Sequence, residues 1–268
     1  MTTRPVHVTF MSLGAVGIVT AVVTASIVRE PVRGGLDTPA AHDAPGAPEK
    51  APFWPTCRMF FTHPVLLRVS IAAAITQIVT YATLNFTTLL LMREKGMALG
   101  DVALWYALVL VVAVGAGMYT SGRLIDRLAP RTKRAYAYLP AAALALAIPF
   151  FIGFVMAPRW PLALRFLAGP LFFNYFYLSP SVALVQETVR PQERVLAGAL
   201  LLLVMNLVGL GLGPTWLGAA SDWLKPSHPE HALQLAFYTL VPIYVLAVLC
   251  FLWLARAFRA DARDGVSA

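Results

Sequence analysis

Charged residues are scarce in this sequence: Asp, Glu, Lys and Arg together make up 13% of its 268 residues. Soluble domains keep about 25% of their residues charged. Hydrophobic residues reach 59%, and the mean hydropathy is +0.70. This composition excludes a soluble monomer and indicates a chain that lies in lipid.

Cysteines and catalytic motifs are also lacking. The two cysteines, Cys57 and Cys250, fall in a polar linker and in an apolar segment, so a disulfide between them is not expected. The sequence contains no GxxxxGK[ST] loop, no HExxH and no paired-cysteine metal spacing, and its five histidines are scattered. It therefore predicts no enzyme, no metal and no cofactor, and any transport by this chain would be secondary rather than nucleotide-driven.

Long apolar runs are abundant instead. Seven of them have about the 20 residues that cross a bilayer, and Arg165 is the one arginine inside them. A lone strand in lipid would leave its backbone groups unpaired, so each run must be a helix. The sequence predicts an all-α, multi-pass membrane protein. The runs are 6–28, 69–92, 102–122, 135–157, 160–186, 195–220 and 232–255.

The basic residues collect on one side of the predicted membrane. If the first run passes from outside to inside, fourteen Lys and Arg residues lie on the cytoplasmic side, which is the positive-inside pattern. The net charge of +8 is therefore a sign of topology, with lipid rather than nucleic acid as the partner, and a bacterial inner membrane is the expected location. The fourteen are Arg29, Arg33, Lys50, Arg58, Arg123, Arg127, Arg131, Lys133, Arg134, Arg190, Arg194, Arg256, Arg259 and Arg263.

A long polar segment separates the first run from the others. Residues 34–57 are rich in Pro, Ala and Gly without apolar periodicity, which is typical of a flexible linker. The predicted organisation is a helix in 1–28, a cytoplasmic linker in 29–64, a six-helix bundle in 65–256 and a cytoplasmic tail in 257–268. The first run is longer than a signal-peptide core and is followed by Arg29, so a membrane helix is favoured over a cleaved signal.

The basic loop after the run 102–122 carries the first family resemblance. It is similar to the loop motif of the major facilitator superfamily, although Ala and Pro replace the expected Gly and basic residue at 129 and 130. The matching positions are Gly122, Asp126, Arg127 and Arg131.

Three further stretches resemble the Spinster-like branch of that superfamily. They are REPVRG at 29–34, VQ at 185–186 with PQER at 191–194, and NLVGLGLGP at 206–214 with Ser221 and Asp222. The resemblance implies the sixth helix, the central linker and helices seven to twelve of a transporter that works by alternating access. It also implies that the chain is a fragment that needs an N-terminal half, which could be encoded separately.

Asp126 lies at the predicted cytoplasmic end of a helix, where the helix dipole disfavours a negative charge. Arg123 or Arg127 would be a local partner for it. The family resemblance implies instead a partner across the interface between the two halves, and a solvated loop acid is the remaining alternative. Glu187 and Arg194 lie near the same side and form either a gating pair or ordinary interface charges.

The run 69–92 carries a polar stripe at helical spacing. Gln77, Thr80, Tyr81, Asn85 and Thr88 fall on one side, and Asn174, Tyr177 and Ser181 share a face in the run 160–186. Polar groups in lipid are costly unless they face protein or a water-filled cavity, so the stripe predicts either a substrate cavity or hydrogen bonds between packed helices.

Arg165 and a glycine face complete the candidate residues. Arg165 falls roughly opposite Asn174 and is a candidate for binding an anion or a headgroup, unless it reaches outward to the membrane surface. Gly198, Asn206, Gly209 and Gly213 share one side of the run 195–220, a small-residue face that predicts close helix packing. Pro170 and Pro180 are expected to bend the run 160–186.

Two functional hypotheses follow. In the first, the chain is part of a secondary transporter for an amphiphilic or anionic small molecule, such as a lysolipid, with a sugar-acid or other organic-anion carrier as the alternative cargo class. In the second, it is a membrane fragment without transport activity, or a half-transporter subunit that works only with a partner, because rocking requires two bundles around one site.

Overall fold

The computed structural model describes residues 4–27 and 52–264, divided into two units, Met1–Lys50 and Ala51–Ala268. The first unit contains helix α1, Arg4–Ile27, with an apolar stretch at Gly14–Ile27. Within it, the Thr20 hydroxyl donates to the Val16 carbonyl at 2.8 Å. The predicted signature at 29–34, most of the predicted linker and the last four residues lie outside the described residues.

The second unit consists of helices joined by short connections, and its described residues include no strand, which confirms the all-α, multi-pass prediction. Five helical runs there are long and apolar enough to cross a membrane: Pro64–Arg93, Leu99–Leu128, Ala135–Met156, Pro191–Leu224 and Ala232–Phe258. The helices are α2 Phe53–Thr62, α3 Pro64–Arg93, α4 Leu99–Asp101, α5 Ala107–Leu128, α6 Ala135–Met156, α7 Trp160–Asn174, α8 Leu178–Thr188, α9 Arg194–Leu224, α10 Ala232–Tyr238 and α11 Leu240–Asp264.

Helix α3 is the centre of one side of this bundle. It begins at Pro64, whose missing N–H costs nothing in a first helical turn. It packs between α9 and α11, while α7 packs between α5 and α6, and α6 also contacts α11. Aromatic rings fill the middle, where Phe151 and Tyr244 have centroids 5.2 Å apart.

The predicted linker and tail contain more helix than expected. Helix α2 occupies Phe53–Thr62, with Thr56 and Phe60 buried against the bundle. Pro52 and Pro55 concealed this helix in the sequence, because Pro is tolerated in a first turn although it breaks a helix interior. At the other end, α11 continues through the predicted tail as far as Asp264.

The run 160–186 is a broken helix. Helices α7 and α8 are separated by a 3-10 turn at Tyr175–Tyr177, so neither meets the length of a membrane span alone. The break lies between the two prolines that were expected to bend the run, Pro170 and Pro180. Gly122, in contrast, does not end its helix: α5 continues to Leu128 and places Asp126 in its last turn.

Candidate functional site

A group of polar side chains connects α3, the broken helix and α9 in the interior of the second unit. We call this group the polar seam. It consists of Gln77, Thr80, Tyr81, Asn174, Tyr177 and Asn206.

The contact between α3 and the broken helix consists of two side-chain pairs. The Tyr177 hydroxyl donates to Gln77 Oε1, and Tyr177 is only 1% exposed. Asn174 Nδ2 donates to Thr80 Oγ1 at 2.6 Å, and that hydroxyl donates in turn to the Thr76 carbonyl at 3.0 Å. Buried polar groups are costly unless they are paired, so these two pairs fix the rotation of the 3-10 turn against α3.

The contact between α3 and α9 is built around Tyr81. Its hydroxyl donates to Asn206 Oδ1 at 2.6 Å, while Asn206 Nδ2 donates to the Leu202 carbonyl at 2.8 Å. Asn85 Nδ2 donates to the Tyr81 carbonyl at 2.8 Å. Gln77 and Tyr81 are half-buried, and Asn85, which adjoins the seam, is exposed. We call these three residues the open edge of the seam along α3.

Two of the predicted packing residues let α9 approach α3 closely. A Cβ atom on Gly209 would lie 2.4 Å from Gln77 Cγ, and one on Gly213 would lie 2.6 Å from the Ile78 carbonyl oxygen. Gly198 does not take part: a Cβ atom there would meet nothing within 4 Å in the described residues. The small-residue face therefore acts as a packing face over 206–213 and not at Gly198.

A small cavity of about 20 Å³ adjoins the seam and is lined by Thr80, Thr83, Asn174, Tyr175 and Tyr244 among others. Asn174 Oδ1 and Thr83 Oγ1 are buried there without a hydrogen-bond partner among the residues that the structure describes. The volume is that of a single water molecule, so the cavity suits hydration of these two atoms and is too small for a transported solute.

Arg165 lies away from the seam. It is nine residues before Asn174, which places the two on opposite sides of a helix, about 180° apart. It is exposed and lines an apolar groove of about 600 Å³ between α5 and α7. Of the predicted cavity residues, the structure therefore groups Gln77, Tyr81, Asn85, Asn174 and Tyr177, but not Arg165.

The predicted cytoplasmic gating residues are mostly unpaired. Asp126 and Arg127 are exposed, and neither forms an ion pair with any other residue that the structure describes. Arg123 lies instead over the Tyr119 ring, 4.9 Å from its centroid. Arg131, in the loop beyond α5, is likewise exposed. Of the three alternatives for Asp126, the local ion pair with Arg123 or Arg127 is not formed among the described residues.

Glu187 and Arg194 do not pair with each other either. Glu187 Oε1 accepts a hydrogen bond from the Tyr136 hydroxyl, and Arg194 Nε donates to the Gln186 carbonyl at 3.1 Å. Tyr136 was missed in the sequence, where nothing distinguishes it from other aromatic residues near a helix start. It connects α6 to the end of α8, at the side that the basic residues predict to be cytoplasmic.

A second polar pocket lies at the opposite end of α3 and α9. It has a volume of about 610 Å³ and contains Arg93, Glu94, Asp222, Lys225 and His231. Lys225 pairs with Asp222 at 2.7 Å, and Glu94 accepts hydrogen bonds from the backbone N–H groups of Leu233 and Gln234. In residues 4–27 and 52–264, no group of three His, Cys, Asp or Glu side chains is placed to hold a metal ion.

Long apolar helices joined by a buried polar seam define an integral, multi-pass membrane protein with polar groups between its spans. The model of the Major Facilitator Superfamily matches residues 3–214. The chain belongs to this superfamily, whose members are transporters.

Similar proteins narrow the relationship to the branch predicted from the sequence. An MFS-type efflux pump of Mycolicibacterium smegmatis is 32% identical over 257 residues, which cover 94% of this chain and 57% of the pump. The crystal structure of a bacterial homolog to the human lysosomal transporter Spinster, inward-facing and unoccupied, has a TM-score of 0.73 at 25% identity. It is matched over 94% of this chain and 59% of its own length.

The occupied, inward-facing structure of a bacterial Spinster homolog shows the same fold, with a TM-score of 0.67 at 23% identity over 94% of this chain and 58% of that one. The Spinster-like resemblance is confirmed by these likenesses. The chain spans less than two thirds of the length of each of these relatives.

Proposed function

We propose that the protein containing this chain is a secondary transporter that moves an amphiphilic or anionic small molecule, such as a lysolipid, by alternating access. The observation that carries the proposal is the open edge of the polar seam. Gln77, Tyr81 and Asn85 present amide and phenol groups along one side of a membrane-spanning helix. Such groups are retained at membrane depth where they face protein or a water-filled cavity, and transporter sites lie between two bundles at this depth.

The open edge has hydrogen-bonding capacity to spare for a cargo headgroup. Gln77 Oε1 and Asn85 Nδ2 are occupied within the bundle, but Gln77 Nε2 and Asn85 Oδ1 have no partner among the described residues. One donor and one acceptor thus face the same side of α3. Tyr81 holds its ring beside them through its bond to Asn206.

We propose that a second bundle supplies the opposite wall of the cavity, either in the same polypeptide or as a separate subunit. The chain spans 57% to 59% of the matched relatives, and alternating access requires two bundles that rock around a shared site. A fragment without transport activity remains the competing function for the isolated chain. The bacterial relatives favour a location in the bacterial inner membrane.

The uncharged side chains at the open edge favour an amphiphile over a sugar acid as the cargo. A sugar-acid carrier would need cations that face the cavity, and Arg165 lies on the far side of its helix. Gln77, Tyr81 and Asn85 are uncharged and lie among apolar neighbours such as Ile78 and Phe86. A cargo with a small polar head and an apolar tail matches this surface best.

Transport in inverted membrane vesicles tests the proposal. The chain is produced together with the proposed second bundle, and fluorescent lysophosphatidylglycerol and radiolabelled gluconate are the two probes. We expect lysophospholipid movement that falls about fivefold in Asn85→Ala, the effect of losing one hydrogen bond of ~1 kcal/mol. Asn85→Ala suits this test because its bond to the Tyr81 carbonyl duplicates a helical one.

Tyr119→Phe is the matched control, because Tyr119 is exposed on α5 and its hydroxyl makes no hydrogen bond in the described residues. Movement of gluconate alone would show that the cargo is an organic anion rather than an amphiphile. No movement of either probe by the two-bundle protein would support the non-transporting alternative.

A further inference from the structure

The groove beside Arg165 is a separate concave surface on the membrane-spanning part of the bundle. Its volume of about 600 Å³ falls within the ~300–1,000 Å³ of typical ligand pockets. Leu108 and Val112 on α5 and Phe150 on α6 border it and are 52%, 60% and 40% exposed. Small residues, among them Ala116, Ala168 and Gly169, leave the space between α5 and α7 open.

The groove has a charged end and an apolar end. Arg165 and Leu108 lie near the starts of α7 and α5, and Phe172 and Phe173 lie about two turns deeper. Arg165 and Phe173 are eight residues apart, or about 12 Å along a helix. Every other described residue that lines the groove is apolar, so Arg165 is the single charge among them.

The deep end of the groove is closed by backbone contact. A Cβ atom on Gly117 would lie 2.2 Å from the Phe172 carbonyl oxygen, so α5 and α7 touch directly there. Gly169 likewise lies against the Phe150 ring, where a Cβ atom would be 2.5 Å from Cγ. The groove therefore accepts a chain that enters from the Arg165 end and stops near Gly117.

The Arg165 guanidinium has no hydrogen bond and no ion pair with any residue in 4–27 or 52–264. An arginine inside a membrane segment is costly unless it finds an anion or reaches the interface. Arg165 is five residues from Trp160, at the end of α7 that the basic residues predict to be outside. It is close enough to the interface to meet a headgroup.

We propose that this groove binds an anionic phospholipid of the surrounding bilayer, with its phosphate on Arg165 and an acyl chain along Ala116 and Ala168. A guanidinium binds phosphate through two parallel N–H groups. A zwitterionic lipid binds more weakly in this way, because its own cation competes with the guanidinium for the phosphate. A bilayer lipid is favoured over a soluble anion since the other lining residues are apolar. The site lies opposite the polar seam and does not depend on the proposed transport.

Native mass spectrometry of the 268-residue chain in detergent tests the site, with phosphatidylglycerol and phosphatidylcholine as probes. We expect the first phosphatidylglycerol to bind more tightly than phosphatidylcholine. Arg165→Gln should weaken phosphatidylglycerol about tenfold and abolish the preference. Arg165→Lys, which keeps the charge without the paired N–H groups, should retain part of it. Arg159→Gln, an equal change of charge in the exposed turn before α7, should change nothing.

The apolar part of the site needs its own variant. Ala116→Phe fills the groove while leaving Arg165 in place, so both lipids should bind more weakly. Ala219→Phe, on an exposed position of α9 outside the groove, is the control for added bulk. Equal losses in Arg165→Gln and Arg159→Gln would overturn the site. Unchanged binding of both lipids in Ala116→Phe would also overturn it, because the acyl chain would then lie elsewhere.

Discussion

Ser121 Oγ donates a hydrogen bond of 2.9 Å to the backbone carbonyl of Phe176. That carbonyl lies four residues before Pro180, which has no N–H to donate to it. Ser121 is 0% exposed, so solvent does not reach the pair. A hydroxyl from α5 therefore replaces the missing helical bond and anchors the break between α7 and α8.

Ser121→Ala is expected to destabilise the bundle by ~1–3 kcal/mol, the cost of leaving a buried carbonyl unpaired. Ser70→Ala is its matched control. Ser70 is 1% exposed, and its hydroxyl donates to the Leu66 carbonyl, which lies four residues back in the same helix and keeps its helical N–H partner. Thermal unfolding in detergent should therefore show a lower Tm for Ser121→Ala only. Equal shifts for the two serines would show that the Phe176 carbonyl does not need the α5 hydroxyl.

The α3–α9 contact makes a second prediction about stability. A Cβ atom on Gly213 would lie 2.6 Å from the Ile78 carbonyl oxygen and 3.0 Å from the Ala82 nitrogen, and neither backbone atom can move away cheaply. Gly213→Ala is expected to cost ~1–3 kcal/mol, as overpacking does elsewhere. Gly211→Ala, two residues away with nothing within 4 Å, should raise the Tm slightly or leave it unchanged. A Gly213→Ala protein as stable as the parent would show that α3 and α9 can move apart at little cost to make room for the methyl group.

Apolar run length and residue type were enough to predict five of the seven expected spans and the polar face of α3. Gln77, Tyr81, Asn174 and Tyr177 meet in the structure because periodicity places polar groups on one side, and lipid penalises any other arrangement. Gly209 and Gly213 were predicted for the same reason, since only small residues let two backbones approach. The function of these residues as a cargo site stays a prediction.

The hydrogen-bond partners of residues on different helices could not be predicted in the same way. Nothing in the sequence pairs Glu187 with Tyr136 rather than with Arg194, because the choice depends on how α6 and α8 meet. Ser121 was missed, although Pro180 gave a signal: its absent N–H requires some donor for the Phe176 carbonyl. Helix α2 was missed because its prolines lie in and just before the first turn.

The distribution of basic residues predicts which side of the membrane each loop faces. In a background of Cys57→Ser and Cys250→Ala, Arg131→Cys should react with a membrane-impermeant maleimide in inverted vesicles and not in intact cells. Ser227→Cys, in the exposed turn between α9 and α10, should show the opposite behaviour. Labelling of Arg131→Cys from outside the cell would reverse this topology, and the Arg165 end of α7 would then lie on the cytoplasmic side.

Lys95 and Gln234 share one acceptor at the end of the bundle that the basic residues predict to be outside. Lys95 Nζ donates to the Val155 carbonyl at 2.9 Å, and Gln234 Nε2 donates to the same oxygen at 2.8 Å. Lys95 is 7% exposed, and its burial lowers its pKa below the usual 10.5, an effect that the nearby Glu94 carboxylate partly opposes. Between the lowered pKa and 10.5 the unfolded chain binds more protons, so this group makes folding more favourable as the pH rises.

Lys95→Met should therefore remove the pH-dependent free-energy cost of burying the Lys95 charge, while Gln234 still donates to the Val155 carbonyl. We expect the Tm of the variant, relative to the parent, to be highest near neutral pH and to decline as the pH rises toward 10.5, where the parent no longer buries a charge. Adding Gln234→Leu removes the last side-chain donor to the carbonyl, so the double variant should lose more than the two single changes predict together. A Tm difference that does not vary with pH would show that Lys95 is solvated in the folded protein, and additive losses would show that the two donors act independently.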